Sequence, residues 1–322
     1  MTATGPLMLL DTASLYFRAF YGVSDSVKAP DGTPVNAVRG LLDMIARLVV
    51  DHRPTRLVAC WDEDWRPAFR VQAIPSYKAH RVAEGSAEQE EVPDTLAPQV
   101  PVIAEVLTAL GIARAGAAGY EADDVIGTLT ARESGHGPVL VVTGDRDLFQ
   151  LVDDDAPVRV LYTIRGIKDI EQVDTARLTE KYAVASGSAY ADMAVLRGDP
   201  SDGLPGVAGI GEKTAAALLA RYGDLPTLLA ARDADDPGLT ATQRRRLTEA
   251  ADYLAVAPGV VRVADDAPVQ LAPRPGLPDA LDNPGALDLP RTPADPEALV
   301  DLTERWGLES SVRRVLTALA QH

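Results

Sequence analysis

The sequence predicts an α/β fold: a parallel-rich sheet flanked by helices and followed by a smaller helical region. Two observations carry this prediction. In the first half of the 322-residue chain, short apolar runs that end at an aspartate alternate with segments of helical periodicity. Beyond about residue 169 the strand-like runs stop and the helical periodicity continues. Strands that alternate with helices are typical of parallel sheets with crossover connections.

The individual elements follow from the spacing of apolar residues. Short, continuous apolar runs indicate buried strands, and apolar residues repeated every three or four positions indicate helices. We predict strands at 7–10, 56–61, 139–142 and 158–162. We predict helices at 35–50, 99–110, 122–133, 174–182, 188–197, 212–222, 225–231, 240–256 and 296–321.

These elements divide the chain into three regions. An α/β domain is expected over residues 1–170 and a helical subdomain over 171–260. Residues 261–322 are expected to form an irregular strap and a final helix, because residues 264–296 hold eight of the 24 prolines.

Residues 82–99 interrupt the alternation of strands and helices. The segment has prolines at positions 93 and 98 and no basic residue, so we expect a loop or a mobile excursion there. Its five acidic residues are Glu84, Glu88, Glu90, Glu91 and Asp94.

Composition and charge exclude several classes of protein. Cys60 is the only cysteine, which excludes an internal disulfide and a multi-cysteine zinc site and agrees with the reducing cytoplasm. No apolar run approaches the roughly 18 residues of a membrane span, and the N-terminus lacks the pattern of a signal peptide. We therefore expect a cytoplasmic protein that does not bind membranes. The net charge of −16 argues, by itself, against general binding to nucleic acid.

Acidic residues follow three of the predicted strands. Asp11 and Asp62 come directly after separate apolar runs, and Asp145 follows a third run after Thr143 and Gly144. Ligands of open parallel sheets bind at the carboxyl ends of the strands, so we expect these side chains to meet at one edge. Further candidates lie on the same turn as Asp145, at the start of the helix at 122–133 and in a turn after residue 198: Asp147, Glu121, Asp123, Asp124, Asp199 and Asp202.

Each acidic group also has a purely structural interpretation. Acidic residues are favoured in the first turn of a helix, and the sequence Asp-Pro-Ser-Asp-Gly at 199–203 is good turn chemistry. Nine carboxylates at one edge would nevertheless repel one another unless cations neutralised them. Carboxylate oxygens without His or Cys suit Mg²⁺ or Mn²⁺. Two such ions roughly 3.5–4 Å apart form the clamp used for in-line displacement at phosphorus.

Two other segments carry features that suit phosphate. Basic residues with interleaved aromatic residues follow Asp62, a pattern that fits contact with a nucleic-acid backbone, although a solvated loop is the alternative. A glycine-rich turn at 204–214 lets main-chain N–H groups approach a phosphate at a helix N-terminus. We interpret as candidates for nucleic-acid contact Arg18, Arg66, Arg70, Tyr77, Lys78, Arg81, Gly206, Gly209, Gly211, Lys213 and Thr214.

Together these motifs resemble the 5′-nuclease family, which includes the N-terminal domain of bacterial DNA polymerase I and the flap endonucleases. The resemblance runs from about residue 7 to about residue 255. No polymerase-like region follows, as expected of a stand-alone form. The matching segments are Leu-Leu-Asp11, Trp-Asp62, Tyr77-Lys78-Ala-His-Arg81, Tyr120-Glu121-Ala-Asp123-Asp124, Thr-Gly-Asp145-Arg-Asp147, and Gly198-Asp199-Pro-Ser-Asp202 with the glycine-rich turn up to Lys213.

The resemblance implies a PIN-like sheet domain, a helix-three-turn-helix element at about 188–222 that binds duplex DNA, and a helical arch at about 76–100 that admits single-stranded 5′ ends. It implies a 5′→3′ exonuclease and 5′-flap endonuclease that acts as a monomer in primer removal and repair. The substrates would be DNA with 5′ flaps, nicks or 5′ ends, including RNA-primed strands. Gly203 stands where the family usually has Asn.

The resemblance also implies roles for individual residues. Two or more Mg²⁺ or Mn²⁺ ions would lie among the nine carboxylates, the first near Asp11, Asp62, Glu121, Asp123 and Asp124, and the second near Asp145, Asp147, Asp199 and Asp202. Lys78 and Arg81 would contact the scissile phosphate. The turn from Gly206 to Lys213 would bind duplex phosphates, in several relatives with a K⁺ ion on its carbonyls.

Two other functions fit parts of the sequence. A DNA-junction binding protein without catalysis would keep the glycine-rich turn, but it would gain nothing from nine mutually repelling carboxylates. A ribonuclease of the PIN type would keep the acidic edge, but it would have no use for a turn that binds duplex DNA.

Overall fold

A computed structural model describes residues 5–86, 89–133, 135–164 and 166–321. Glu88, one of the acids of the predicted loop, lies outside the described residues. The strands of the described chain are β1 Leu7–Asp11, β2 Arg56–Cys60, β3 Ala113–Gly116, β4 Val139–Thr143, β5 Val158–Tyr162, β6 Glu171–Val173 and β7 Gln270–Leu271.

The seven strands form one sheet in the order β6-β5-β4-β1-β2-β3-β7. β1 lies at the centre, with β4 on one side and β2 on the other, both parallel to it. The two outermost strands, β6 and β7, run antiparallel to their neighbours. The sheet is therefore parallel in its interior, as predicted, and mixed at its edges.

Thirteen α-helices surround the sheet or extend beyond it in the described residues. They are α1 Thr12–Gly22, α2 Asn36–His52, α3 Ala68–Ala73, α4 Gln99–Leu110, α5 Ala122–Glu133, α6 Thr175–Tyr182, α7 Gly187–Arg197, α8 Glu212–Tyr222, α9 Leu225–Asp233, α10 Ala241–Glu249, α11 Ala251–Val261, α12 Pro296–Trp306 and α13 Glu309–Ala320. None of the described helices is both long and apolar enough to cross a membrane.

The apolar core lies on both faces of the sheet. Along β1, Leu7 and Leu9 belong to one cluster of buried side chains, and Met8 and Leu10 belong to the other. Successive side chains of a strand point to opposite faces, so a strand buried on both faces must be apolar throughout. This explains why the predicted strands have no polar alternation.

The predicted elements differ from the structure in a few places. The predicted helices at 240–256 and 296–321 are each divided in two, and the second division falls at Gly307, which has φ of +63°. The predictions missed β3 and β6 and the helices α1 and α3. Residues 264–296 are largely irregular but also contain the two-residue strand β7. A strand this short pairs with β3 through its main chain and needs no long apolar run, so the sequence pattern did not predict it.

The predicted helical arch is the largest difference. Between 76 and 98 the described residues contain one 3₁₀ turn at Ala79–Arg81 and an isolated bridge between Val82 and Glu90, and no α-helix. The prediction that this segment is helical is therefore wrong for the part that the structure describes. Pro93 and Pro98 remove two main-chain donors there, and the charge of the acidic residues disfavours a compact helix.

The proline-rich segment is fastened to the sheet domain by main-chain contacts. The carbonyl of Leu287 accepts from the N–H of Leu57 at 3.0 Å, and the N–H of Leu289 donates to the carbonyl of Thr55 at 3.0 Å. The buried Arg274 guanidinium donates to the carbonyls of Gly111 and Ala286. These bonds satisfy carbonyls that would otherwise be buried without a donor.

Candidate active site

Three parallel strands deliver carboxylates to one edge of the sheet. Asp11 ends β1, while Asp62 and Asp145 follow the neighbouring β2 and β4. Asp11 accepts from the hydroxyl of Thr143 at 2.6 Å and caps α1 by accepting from the N–H of Ser14 at 3.1 Å. The prediction that these acids converge is therefore confirmed by the order of the strands.

A pocket of about 620 Å³ opens at this edge. It holds most of the predicted carboxylates together with Lys78 and Arg81. Seven of the nine predicted acids line it: Asp11, Asp62, Glu121, Asp123, Asp145, Asp147 and Asp199.

The surrounding main chain fixes several of these side chains. Asp62 accepts from the N–H of Ala122 at 2.8 Å, which places it against the start of α5. Asp145 accepts from the N–H of Asp147 at 2.9 Å, and Asp199 accepts from the N–H of Ser201 at 2.8 Å. Each carboxylate therefore uses part of its capacity for hydrogen bonds and keeps oxygen lone pairs for a cation.

The pKa values of the pocket acids show the cost of this crowding. Burial, together with the charges of Asp62 and Asp145, raises the pKa of Asp11 to about 7. Burial, and then neighbouring carboxylates, also hold the pKa values of Asp123 and Asp147 well above the usual range. Charged forms are disfavoured by desolvation and by like charges, so these groups ionise fully only with a compensating positive charge.

The donor set fits hard divalent cations. It consists of carboxylate oxygens, which suit Mg²⁺ and Mn²⁺. Among the described residues no three acidic, histidine or cysteine side chains stand close enough together to enclose a metal ion on their own. Mg²⁺ usually keeps several water molecules and binds through one or two carboxylates, so a wide ring of acids suits it better than a closed cage.

Lys78 and Arg81 bring positive charge to the pocket. The ammonium of Lys78 forms an ion pair with Glu121, and the guanidinium of Arg81 donates to Asp202 at 2.8 Å. Burial lowers the pKa of Lys78, but Glu121 and the other surrounding groups outweigh it and hold that pKa well above its usual range. The ammonium therefore stays charged at the edge of the pocket.

The residues before Lys78 are joined to the turn that carries Asp199 and Asp202. The hydroxyl of Ser76 donates to the carbonyl of Gly203 at 2.7 Å, and the N–H of Lys78 donates to the carbonyl of Asp202 at 2.9 Å. Gly203 has φ of +71°, and a Cβ there would stand 2.1 Å from the carbonyl oxygen of Ser76. Glycine at this position therefore permits a close approach of two main chains. We call these contacts the 76–203 junction.

Asp124 does not face the pocket, unlike its neighbour Asp123. It is fully buried and accepts both guanidinium N–H groups of Arg70, at 2.7 and 2.6 Å. Successive residues of a helix point about 100° apart, so Asp124 points towards Arg70 while Asp123 points towards the pocket. The prediction that Asp124 binds metal is corrected: it is the buried partner of Arg70. Asp202 also lies outside the pocket lining and pairs with Arg81 at its margin.

Arg70 and Tyr77 are buried, so their predicted contact with DNA is wrong. Arg70 is 3% exposed and also pairs with Glu121 at 2.8 Å, while its Nε donates to the carbonyl of Val260. The Tyr77 hydroxyl donates to Glu121 at 2.6 Å. Together with Lys78, these side chains hold Glu121 in place, and an unpaired buried charge there would be costly.

Arg66 and Arg18 are partly exposed, and each also has a structural contact. Arg66 donates to the carbonyls of Tyr77 and Pro75, at 2.7 and 3.1 Å. Arg18 donates to the carbonyl of Ile164 at 3.0 Å. Any contact of these two guanidinium groups with DNA would therefore use the N–H donors that are not engaged in these hydrogen bonds.

The glycine-rich turn lies between α7 and α8, as predicted. Gly206 has φ of +65°, and a Cβ there would stand 2.5 Å from the carbonyl carbon of Arg197. Gly211 is the N-cap of α8, while Lys213 in the first turn of this helix is exposed. The turn therefore presents a helix N-terminus and a lysine to solvent, next to Thr214.

Sequence reasoning missed several residues of these sites, among them Glu63 and Glu90 in the pocket lining and Arg246 at the glycine-rich turn. Glu90 lines the acidic pocket. In the sequence it is one of several acidic residues in the same loop, and nothing distinguishes it from the others. Arg246 of α10 donates to the carbonyl of Gly209 at 2.9 Å, so it reaches the glycine-rich turn. This bond uses one of the two lone pairs of a main-chain carbonyl in the turn where the resemblance implies K⁺.

The chain matches two protein families along most of its length. Residues 6–183 match the 5'-3' exonuclease N-terminal resolvase-like domain, and residues 185–278 match the 5'-3' exonuclease C-terminal SAM fold. A 5'-3' exonuclease of Streptomyces coelicolor is 65% identical over 97% of this chain and 99% of its own length. A 5'-3' exonuclease of Mycobacterium tuberculosis is 52% identical over 98% of each chain.

A solved structure shares the fold at low sequence identity. The bacteriophage T5 flap endonuclease, solved as a complex with DNA and metal ions, has a TM-score of 0.62 and 17% identity, over 98% of this chain and all of its own. The fold and the acidic edge place the chain among the 5′-nucleases. It belongs to the 5'-3' exonuclease family, as its match to both family domains shows.

We predict that Arg70→Met destabilises the protein by about 3–5 kcal/mol, because it leaves Asp124 and Glu121 buried without their partner. The free energy of unfolding from urea titration measures this. The double variant Arg70→Met/Asp124→Leu should recover part of the loss, because it removes the unpaired charge. A single variant as stable as the wild type would contradict the assignment of this ion pair.

We predict that Mg²⁺ raises the melting temperature of protein prepared in EDTA, because cations offset the repulsion in the pocket. A Mg²⁺ concentration a hundredfold above its Kd stabilises the folded protein by roughly 2.7 kcal/mol. The double variant Asp123→Asn/Asp145→Asn should lose most of this rise, whereas Asp301→Asn on the exposed face of α12 should keep it. An equal rise in the double variant would place the cations elsewhere.

Proposed function

We propose that this chain is a metal-dependent 5′→3′ exonuclease and 5′-flap endonuclease that hydrolyses DNA phosphodiesters. The observation that carries the proposal is the pocket at the carboxyl edge of the sheet, which seven of the predicted carboxylates line together with Lys78 and Arg81. Membership of the 5'-3' exonuclease family supports it. The products would carry a 5′ phosphate and a 3′ hydroxyl.

The residues of the pocket have separate roles in this reaction. Asp11, Asp62, Glu121 and Asp123 would hold one Mg²⁺ or Mn²⁺ ion, and Asp145, Asp147 and Asp199 a second, with Asp202 at the margin. Such ions lower the pKa of a water molecule and polarise the phosphate. Lys78, kept charged by Glu121, would stabilise the negative charge that develops on the phosphate oxygens. Arg81 would orient the phosphate from the same side.

The glycine-rich turn would hold the duplex part of the substrate. Main-chain N–H groups at the N-terminus of α8 favour a phosphate, and Lys213 adds a charge beside them. The guanidinium of Arg246 supplies a further positive charge at Gly209, within the turn for which the family resemblance implies potassium. We propose that α6 to α11 form the duplex-binding subdomain and that the chain acts as a monomer in the cytoplasm, at the nucleoid.

We predict that Asp145→Ala lowers cleavage of a labelled 5′ flap in Mg²⁺ by at least about a thousandfold, roughly 4 kcal/mol in barrier height. Affinity for the flap should stay close to that of the wild type, because the duplex is held elsewhere. Asp301→Ala is the matched control and should cleave normally. Near-normal cleavage by Asp145→Ala refutes the assignment of the pocket.

The same assay separates the competing functions. A wild-type protein that binds flaps without cutting them in Mg²⁺ or Mn²⁺ would be a junction binder. Preferential cleavage of matched RNA flaps without a requirement for a duplex would identify a PIN-type ribonuclease.

We predict that Lys213→Ala and Arg246→Ala each weaken duplex binding and reduce the salt dependence of the binding constant by about one phosphate contact. Arg245→Ala on the same helix is the control, because Arg245 points to solvent and pairs with Glu249. Fluorescence anisotropy over a range of salt concentrations measures both quantities. If the binding constants of Arg246→Ala and Arg245→Ala depended equally on salt concentration, Arg246 would not contact phosphate.

A further inference from the structure

A second and larger cavity lies beside the acidic pocket. It is bounded by α1, α2, α13 and the described residues 166–168, and its volume is about 1420 Å³. Ser14 and Phe17 line both cavities, so the two are adjacent. We call this second cavity the α2–α13 groove. None of the steps proposed above uses it.

The floor of the groove is apolar. Small and aliphatic side chains from three helices form it, among them Ala19, Met44 and Ala318. Val50 on its wall is 47% exposed and Tyr21 at its end is 73% exposed, and both are among the large apolar side chains that the described structure leaves in water. Contiguous apolar surface of this kind typically marks an interaction site.

The rim of the groove is positively charged in an acidic protein. The whole chain has 47 acidic and 31 basic residues. Around the groove the balance is reversed: among the described residues of its lining, Asp43 is the only acidic one, and the basic ones are Arg18, Arg47, Lys168, Arg313 and Arg314.

Internal ion pairs account for only part of this charge. Arg314 pairs with Asp43 at 2.8 Å, and Arg47 pairs with Asp51. Within the described ranges, Lys168 and Arg313 have no ion pair. The groove therefore offers an apolar floor between a small number of uncompensated positive charges.

These features fit one kind of occupant better than another. Single-stranded nucleic acid is held by a continuous basic track with aromatic faces on which bases stack. Here Phe17 and Tyr21 are the aromatic side chains among the described lining residues, the rest of the floor is small or aliphatic, and two of the five cations are already neutralised. A concave apolar floor accepts peptide side chains, and a few rim cations match carboxylates on the same peptide.

We propose that the α2–α13 groove binds an acidic, hydrophobic peptide segment of a partner protein. Leucine or aromatic side chains of the segment occupy the floor, and its carboxylates meet Arg313 and Lys168. The partner is thereby held next to the acidic pocket without filling it. This proposal goes beyond the nuclease activity and does not depend on it.

Fluorescence anisotropy with a short labelled peptide that alternates Asp and Glu with Leu and Phe tests the proposal. The full-length protein should bind it saturably, and replacement of its Leu and Phe by Ser should abolish binding. Val50→Glu and Arg313→Glu should each weaken binding by about tenfold or more. Val300→Glu, at an equally exposed position on α12, should bind as the wild type does.

Two readouts separate this result from misfolding and from nucleic-acid binding. Val50→Glu and Arg313→Glu should keep the melting temperature and the rate of flap cleavage measured without peptide. Absence of saturable peptide binding, or binding by both groove variants as tight as that of the wild type, overturns the proposal. It is also overturned if a labelled oligothymidine binds more tightly than the peptide and loses that affinity in the same two variants, because the groove would then be a surface for nucleic acid.

Discussion

Repulsion between carboxylates at one edge of the sheet is the constraint on which the rest of this structure depends. Because β1 lies between β2 and β4, the acids that end these strands cannot avoid one another. Burial adds a desolvation cost, which is reflected in the raised pKa of Asp11. Hydrogen bonds from Thr143 and from main-chain N–H groups relieve part of that cost. In the proposed function, divalent cations complement the remainder and would allow an acidic protein to hold a phosphate at this one place.

The second element of the arrangement is the support beneath the pocket. Arg70 extends from α3 to Asp124 and Glu121 and also reaches the end of α11 through the carbonyl of Val260. One buried guanidinium thus joins the sheet domain to the helical region. Glu121 is consequently held from below by Arg70 and Tyr77, and from the pocket by Lys78. Its orientation is fixed before any substrate arrives.

Sequence patterns predicted the sheet interior and the acidic edge well, because both follow from local rules. A continuous apolar run followed by Asp marks a buried strand and the position of its carboxylate. The errors concern interactions between distant segments. Nothing near Arg70 in the sequence shows that it is buried, because its partners lie 51 and 54 residues further along the chain. Likewise, Asp123 and Asp124 look equivalent until the rotation of α5 is known.

The 76–203 junction has a mechanical consequence. Ser76 and Lys78 are bonded to the very turn that carries Asp199 and Asp202, and this turn leads directly into the helices proposed to grip the duplex. A duplex bound in the wrong orientation would tilt that turn and displace the Lys78 ammonium with it. The Lys78 ammonium and the carboxylates of Asp199 and Asp202 would then leave their proposed catalytic positions together. The enzyme would thus discriminate against incorrectly bound substrates through one short main-chain contact, at a distance from the bond that is cut.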